Sequence, residues 1–269
     1  MTASLATRAA FGFPIDLINR LSPRRGVIFH STSYAPGSRG FIDFYWPEAA
    51  RTPPMVVFFY GGGWESGERA MYRFVGTALA AHGIACAIPD YRLFPEIRFP
   101  AFMEDAAAAL ALVAAQPCVA ANRLFLMGHS AGAHIATLLA LDPRYRRAAG
   151  APAPRGVIGL AGPYDFLPLQ SPVLREIFGP EKRWPDSQPI RFVTPHSPPM
   201  LLAAGGRDRT VLPGNTRRLA AALREAAVAV TVHLYPALGH RALIGGVASV
   251  LAPLLPVQRA VLRFIGNLA

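Results

Sequence analysis

A serine hydroxyl becomes a useful nucleophile only when a base takes its proton and a third group orients that base. The pentapeptide Gly128-His129-Ser130-Ala131-Gly132 offers such a serine between a short apolar run, Arg123–Met127, and an apolar helical pattern, Ala131–Leu141. A strand that turns this sharply into a helix strains the backbone at the serine and crowds its flanking positions, so glycines are expected there. The hydroxyl is thereby pushed out at the carboxyl end of the strand, with a helix N-terminus behind it to favour developing negative charge. Downstream, Asp208 follows the apolar run Met200–Ala204, and His240 follows Val230–Tyr235. Both stand at the ends of predicted strands, where open sheets build their sites, and Ser, Asp, His is a known chain order for this constellation. His240 would take the Ser130 proton, and Asp208 would hold the imidazole tautomer and stabilise its cation. Asp165, in Gly162-Pro163-Tyr164-Asp165, is the reserve acid, with capping or ordering of the next loop as its first reading. His129, His134 and His233 read as structural rather than as bases.

Acyl transfer also needs donors for an oxyanion, and Tyr60-Gly61-Gly62-Gly63-Trp64 supplies a glycine loop after the buried-type run Met55–Tyr60. Backbone N–H groups in such a loop can hold negative charge without side-chain interference. Those of Gly62, Gly63 and Ala131 are the candidate oxyanion hole. The rival reading, a phosphate cradle, lacks both G-x-G-x-x-G and a Walker Lys-Ser/Thr pair. Apolar and aromatic residues near these motifs (Trp64, Phe94, Phe166 and Leu243, with Leu167 and Phe178) suggest a pocket for uncharged acyl groups.

These groups need a scaffold. Short β-rich runs alternate with longer helical patterns, the signature of an α/β fold with a mostly parallel sheet flanked by helices. Predicted strands are Val27–Tyr34 and Gly40–Trp46, an antiparallel start, then Met55–Tyr60, Ile84–Pro89, Arg123–Met127, Gly156–Leu160, Met200–Ala204 and Val230–Tyr235. Predicted helices are Met71–His82, Phe102–Ala115, Ala131–Leu141 and Pro213–Ala226, with another closing the chain. The proline-rich segment 162–198, with one short helical stretch near Val173–Phe178, reads as a small lid or specificity insertion, since long insertions in compact domains tend to be functional. Phe11, Ile15, Ile18 and Leu21 fall at helical spacing. The N-terminal segment 1–26 thus carries a short amphipathic helix that either packs on the body or roofs a pocket.

Length and composition set limits. The 269 residues, 52% of them hydrophobic, can bury a large core, and are read as one domain spanning 1–269. The net charge is +11, yet all 27 basic residues but Lys182 are arginines and they are scattered. No basic stripe is interleaved with stacking aromatics, so nucleic acid is not an expected partner. The longest apolar stretch, Ala242–Val257, is interrupted by Gly and Pro and too short to span a bilayer, and no secretory signal pattern opens the chain. Cys86 and Cys118 lack CxxC or zinc spacing, which fits a reduced, cytoplasmic protein; no metal-ligand spacing is present, and acyl transfer through a serine needs no metal or organic cofactor. Self-association into a homo-oligomer is left open.

Together the motifs resemble the α/β-hydrolase superfamily, in particular its hormone-sensitive-lipase-like and bacterial carboxylesterase branch. Asp90-Tyr91-Arg92-Leu93-Phe94-Pro95-Glu96 is similar to that branch's DYRLxPE segment. Trp64 with Gly67 is similar to the HGGxW-xxG pattern shared with kynurenine-formamidase-like esterases. The resemblance covers Met55 to His240 and implies the α/β-hydrolase fold. It also implies a serine hydrolase that cleaves short- to medium-chain carboxylic esters through an acyl-enzyme. An amidase of the arylformamidase (kynurenine formamidase) type is the alternative, and a catalytically silent hydrolase-fold binding protein the remote one. Tyr60 stands where the family usually has His, a residue that orients the glycine loop.

Overall fold

The computed structural model describes residues 13–269. Eight strands form one sheet: β1 (Val27–Ser33), β2 (Phe41–Pro47), β3 (Met55–Phe59), β4 (Ala85–Pro89), β5 (Leu124–His129), β6 (Gly156–Leu160), β7 (Met200–Gly205) and β8 (Val230–Tyr235). Their spatial order is β1-β2-β4-β3-β5-β6-β7-β8. β1 pairs with β2, and β2 with β4, antiparallel; every later pairing is parallel. Strands β3 to β7 are buried at every residue, which is why they read as continuous apolar runs. The edge strands β1 and β8 are only partly covered.

Nine helices join or flank the strands among the described residues: α1 (Phe13–Leu21), α2 (Arg73–Ala80), α3 (Ala101–Ala114), α4 (Ala131–Leu141), α5 (Pro143–Ala148), α6 (Pro172–Phe178), α7 (Gly214–Glu225), α8 (His240–Gly245) and α9 (Val257–Leu268). The helix expected from Met71 begins instead as a 3-10 turn, Arg69–Tyr72, and becomes α-helical at Arg73. No helix among the described residues is long and apolar enough to cross a membrane.

The order of the sheet selects the place for a site. From β3 the chain moves to β4 on one side, then crosses to β5 on the other. The loops leaving β3 and β5 therefore diverge and open a crevice at the carboxyl ends of neighbouring strands. Phe59 pairs with Gly128, so the glycine loop emerges beside Ser130. Gly205 of β7 pairs with Tyr235 of β8, which brings the Asp208 and His240 loops side by side.

Candidate active site

Ser130 sits at the junction of β5 and α4 with φ 55 and ψ −124. Such a backbone costs a side-chain-bearing residue roughly 1–3 kcal/mol, so neighbouring structure must impose it. The neighbours show how. A Cβ on Gly132 would lie 2.0 Å from the Phe59 carbonyl oxygen, and one on Gly128 2.2 Å from that of Gly132. Strand and helix thus approach too closely for any side chain at these two positions.

His240 Nε2 lies 2.9 Å from Ser130 Oγ, and His240 Nδ1 lies 2.7 Å from Asp208 Oδ2. Asp208 is 2% exposed. Its other oxygen, Oδ1, accepts the backbone N–H groups of Thr210 and Val211, both at 2.9 Å. One carboxylate oxygen is thereby tied to the turn and the other left to the imidazole. The structure brings Ser130, His240 and Asp208 together and places Asp165 elsewhere, paired with Arg218 and beside Asn215.

The remaining histidines have other partners. His129 is buried against His240, ring centroids 4.7 Å apart, and its Nε2 lies 3.1 Å from the His240 carbonyl oxygen. Burial, with the nearby His240, lowers its pKa to about 3. It therefore stays neutral and, as the Nε2–H tautomer, donates to the loop that carries the base. His134 is buried in α4 with Nε2 2.7 Å from the Ser187 carbonyl oxygen, and burial lowers its pKa to about 4. His233 stacks on Tyr235 along β8.

Gly62 and Gly63 line one cavity with Ser130, His129 and His240. Gly62 has φ 146, and a Cβ there would strike the Ser66 carbonyl oxygen at 2.0 Å. The N–H groups of Gly62 and Gly63 donate to no backbone carbonyl among the described residues. Ala131 opens α4, so its N–H has no partner within the helix. Beneath the loop, the buried Tyr60 hydroxyl donates to Asp90 Oδ1 at 2.8 Å, and the Tyr91 hydroxyl to the Tyr60 carbonyl at 2.8 Å. Asp90 also pairs with Arg69, whose Nε donates to Asp43 Oδ1 at 2.8 Å. Arg39 donates to the Tyr60 hydroxyl at 3.3 Å and to the Gly67 carbonyl at 3.1 Å. Tyr60 is therefore a buried anchor for the glycine loop.

The cavity holds about 250 Å³. Its apolar wall comes from Ile15, Ile18, Tyr72, Phe74 and Ile244. The residues expected to bind substrate lie elsewhere: none of Trp64, Phe94, Phe166 and Leu243 lines it. Trp64 packs with Phe102, His134, Phe166 and Phe178 in an aromatic cluster, because apolar rings gain more from burying one another than from facing a crevice. Phe94 lies under the Arg98 guanidinium, and Leu243 is fully buried in α8. No residue of 162–198 lines this cavity either. That insertion seats its Phe178 in the aromatic cluster and its Ser187 carbonyl on His134 of α4. Phe11, expected on the N-terminal helix, lies outside the described residues. The lining residues Tyr72 and Phe74 carry no motif and lie in a helical turn that the sequence does not mark as part of a site. Among the described residues no group of three or more His, Cys, Asp and Glu is placed to hold a metal ion.

A mostly parallel sheet with flanking helices and a serine turn at the carboxyl end of a central strand defines the α/β-hydrolase fold. Residues 42–223 match the BD-FAE family, and the chain belongs to that family. It is 31% identical to esterase LipC of Mycobacterium tuberculosis (strain ATCC 25618 / H37Rv) over 70% of this chain and 52% of that protein. It is also 31% identical to isoprenylcysteine alpha-carbonyl methylesterase ICME of Arabidopsis thaliana, over 54% of this chain and 35% of that one. The chain thus spans about half or less of the length of these curated relatives. A crystal structure of esterase B from a Lactobacillus superposes with a TM-score of 0.79 at 20% identity, covering 94% of this chain and 90% of that one.

Proposed function

We propose that the chain is a carboxylesterase, a serine hydrolase that cleaves short- to medium-chain carboxylic esters. The observation that carries this reading is the continuous hydrogen-bonded line Asp208–His240–Ser130, with separations of 2.7 and 2.9 Å, at the mouth of an apolar cavity. Membership of an esterase-bearing family supports it.

Ser130 Oγ attacks the ester carbonyl carbon while its proton passes to His240 Nε2. The N–H groups of Gly62, Gly63 and Ala131 hold the oxyanion, and Asp208 stabilises the imidazolium. His240 gives the proton to the departing alkoxide, and the alcohol leaves an acyl group on Ser130. Water then attacks, His240 takes its proton, and the acid departs as the Ser130 hydroxyl is restored. These steps move only protons and an acyl group, so they call on no cofactor. The small apolar cavity favours an uncharged acyl group of modest length. Both cysteines are free, and Cys118 is exposed, which supports a cytoplasmic setting. The expected partner is a small-molecule ester.

Turnover of p-nitrophenyl esters from acetate to dodecanoate tests this. A peak at short or medium chains that disappears in Ser130→Ala is expected. Ester turnover that survives in Ser130→Ala, or hydrolysis of aryl formamides without hydrolysis of esters, would overturn the proposal.

A further inference from the structure

A second cavity, of about 290 Å³, opens between β1, β2 and α2. It shares no lining residue with the cavity at Ser130, although the segment 70–77 walls both. Val27, Phe29 and Ala70 give it apolar sides, and Asp43, Tyr45 and Thr77, each 5% exposed or less, form its floor. Most of the floor's polar atoms are engaged. Asp43 Oδ1 accepts from Arg69, and Thr77 Oγ1 donates to the Phe74 carbonyl.

Three donors are left over, beside Asp43 Oδ2, whose carboxylate charge is already paired with Arg69. The Tyr45 hydroxyl has no hydrogen-bond partner among the described residues, although Tyr45 is only 2% exposed. Its ring is held between Phe29, 5.2 Å away, and Gly76, where a Cβ would strike it at 2.3 Å. Burial raises its pKa far above the ordinary value, so it remains an O–H donor. Arg24 and Arg73 both line the cavity, and neither pairs with a carboxylate among the described residues. Arg73 is fixed in place by donating to the Asn19 carbonyl at 2.8 Å, and its Nε is buried without a partner among the described residues. Two unpaired guanidinium groups and a phenol donor call for an anion, and the Phe29 and Val27 walls call for an apolar body attached to it.

We infer that this cavity is a second ligand site, for a small carboxylate carried on a flat apolar body. Arg24 and Arg73 take the carboxylate, Tyr45 donates to it, and Phe29 covers the body. The inference requires no ester chemistry, so its failure and that of the esterase reading are separable.

Calorimetric titration with benzoate tests it in the wild type, Arg24→Gln and Tyr45→Phe, with benzamide as the uncharged probe. Arg24 is on the surface and Phe keeps the Tyr45 ring, so both variants should fold, which their far-ultraviolet dichroism would check. Saturable binding of benzoate is expected, about tenfold weaker in each variant, with benzamide at least tenfold weaker than benzoate in the wild type. Benzoate that does not bind, or binds both variants as tightly as the wild type, would overturn the site.

Discussion

Each of the three residues proposed to do the chemistry is held by a different device. Ser130 is forced into a left-handed backbone by a strand–helix contact that only glycines permit. Asp208 is oriented by two backbone N–H groups of its own turn. His240 is held by Asp208 on one side and, through its carbonyl, by His129 on the other. Ser130→Ala and His240→Ala should each lower kcat by about 10⁶, and Asp208→Asn by about 10⁴. Asp165→Asn should leave kcat within a few-fold of the wild type; a large loss there, with Asp208→Asn still active, would move the acid to Asp165. Tyr60→Phe should cost about 1–2 kcal/mol in urea unfolding, since Asp90 loses a buried donor, and should reduce kcat as the glycine loop loosens. Much of this was legible in the sequence because strand ends and glycines mark where functional groups emerge. The Thr210 and Val211 donors were not, because any residue types supply backbone N–H groups. The pocket residues were not either: proximity to a motif does not say which way a ring turns, and Trp64, at φ 64, ends in an aromatic cluster.

At the scale of elements, the central strands were readable because burial on both faces leaves only apolar residues. The two elements hardest to place were α1 and the insertion 162–198, since their positions depend on tertiary contacts with no local signature. Asn19 of α1 is 7% exposed and accounts for the docking of that helix. Its Nδ2 donates to the Met71 carbonyl at 2.9 Å, and its Oδ1 accepts the Phe74 N–H at 2.9 Å. Those contacts seat Ile15 and Ile18 on the wall of the Ser130 cavity. Asn19→Ala should free α1, because two buried backbone groups lose their partners. Faster cleavage by protease between α1 and β1, with KM for esters raised and kcat nearly kept, is the expected outcome. Unchanged proteolysis and KM would mean that α1 does not form that wall. The insertion should tolerate changes on its exposed face without loss of turnover, because it packs on α4 rather than over the cavity.

For the molecule as a whole, the topology and the buried histidines have separate consequences. The crossover between β3 and β5 puts the crevice where four loops meet, so the constellation is assembled only when the sheet is complete. His129 and His134 link stability to pH. In the unfolded chain each binds a proton near the ordinary value of 6.5, whereas in the fold they do so only at about 3 and about 4. Between those limits the unfolded chain holds more protons, so stability falls as the pH drops, by roughly 1.4 kcal/mol per pH unit for each histidine. The urea midpoint should be clearly lower at pH 5 than at pH 7.5; equal midpoints would show that the two histidines are not buried neutral. The central claim, that Ser130 is a nucleophile activated by His240, is tested most directly by mass spectrometry after reaction with an alkyl fluorophosphonate. One adduct per chain on the Ser130 peptide, formed rapidly in the wild type and very slowly in His240→Ala, is expected. Absence of an adduct, an adduct on another residue, or equal rates in both proteins would contradict the claim.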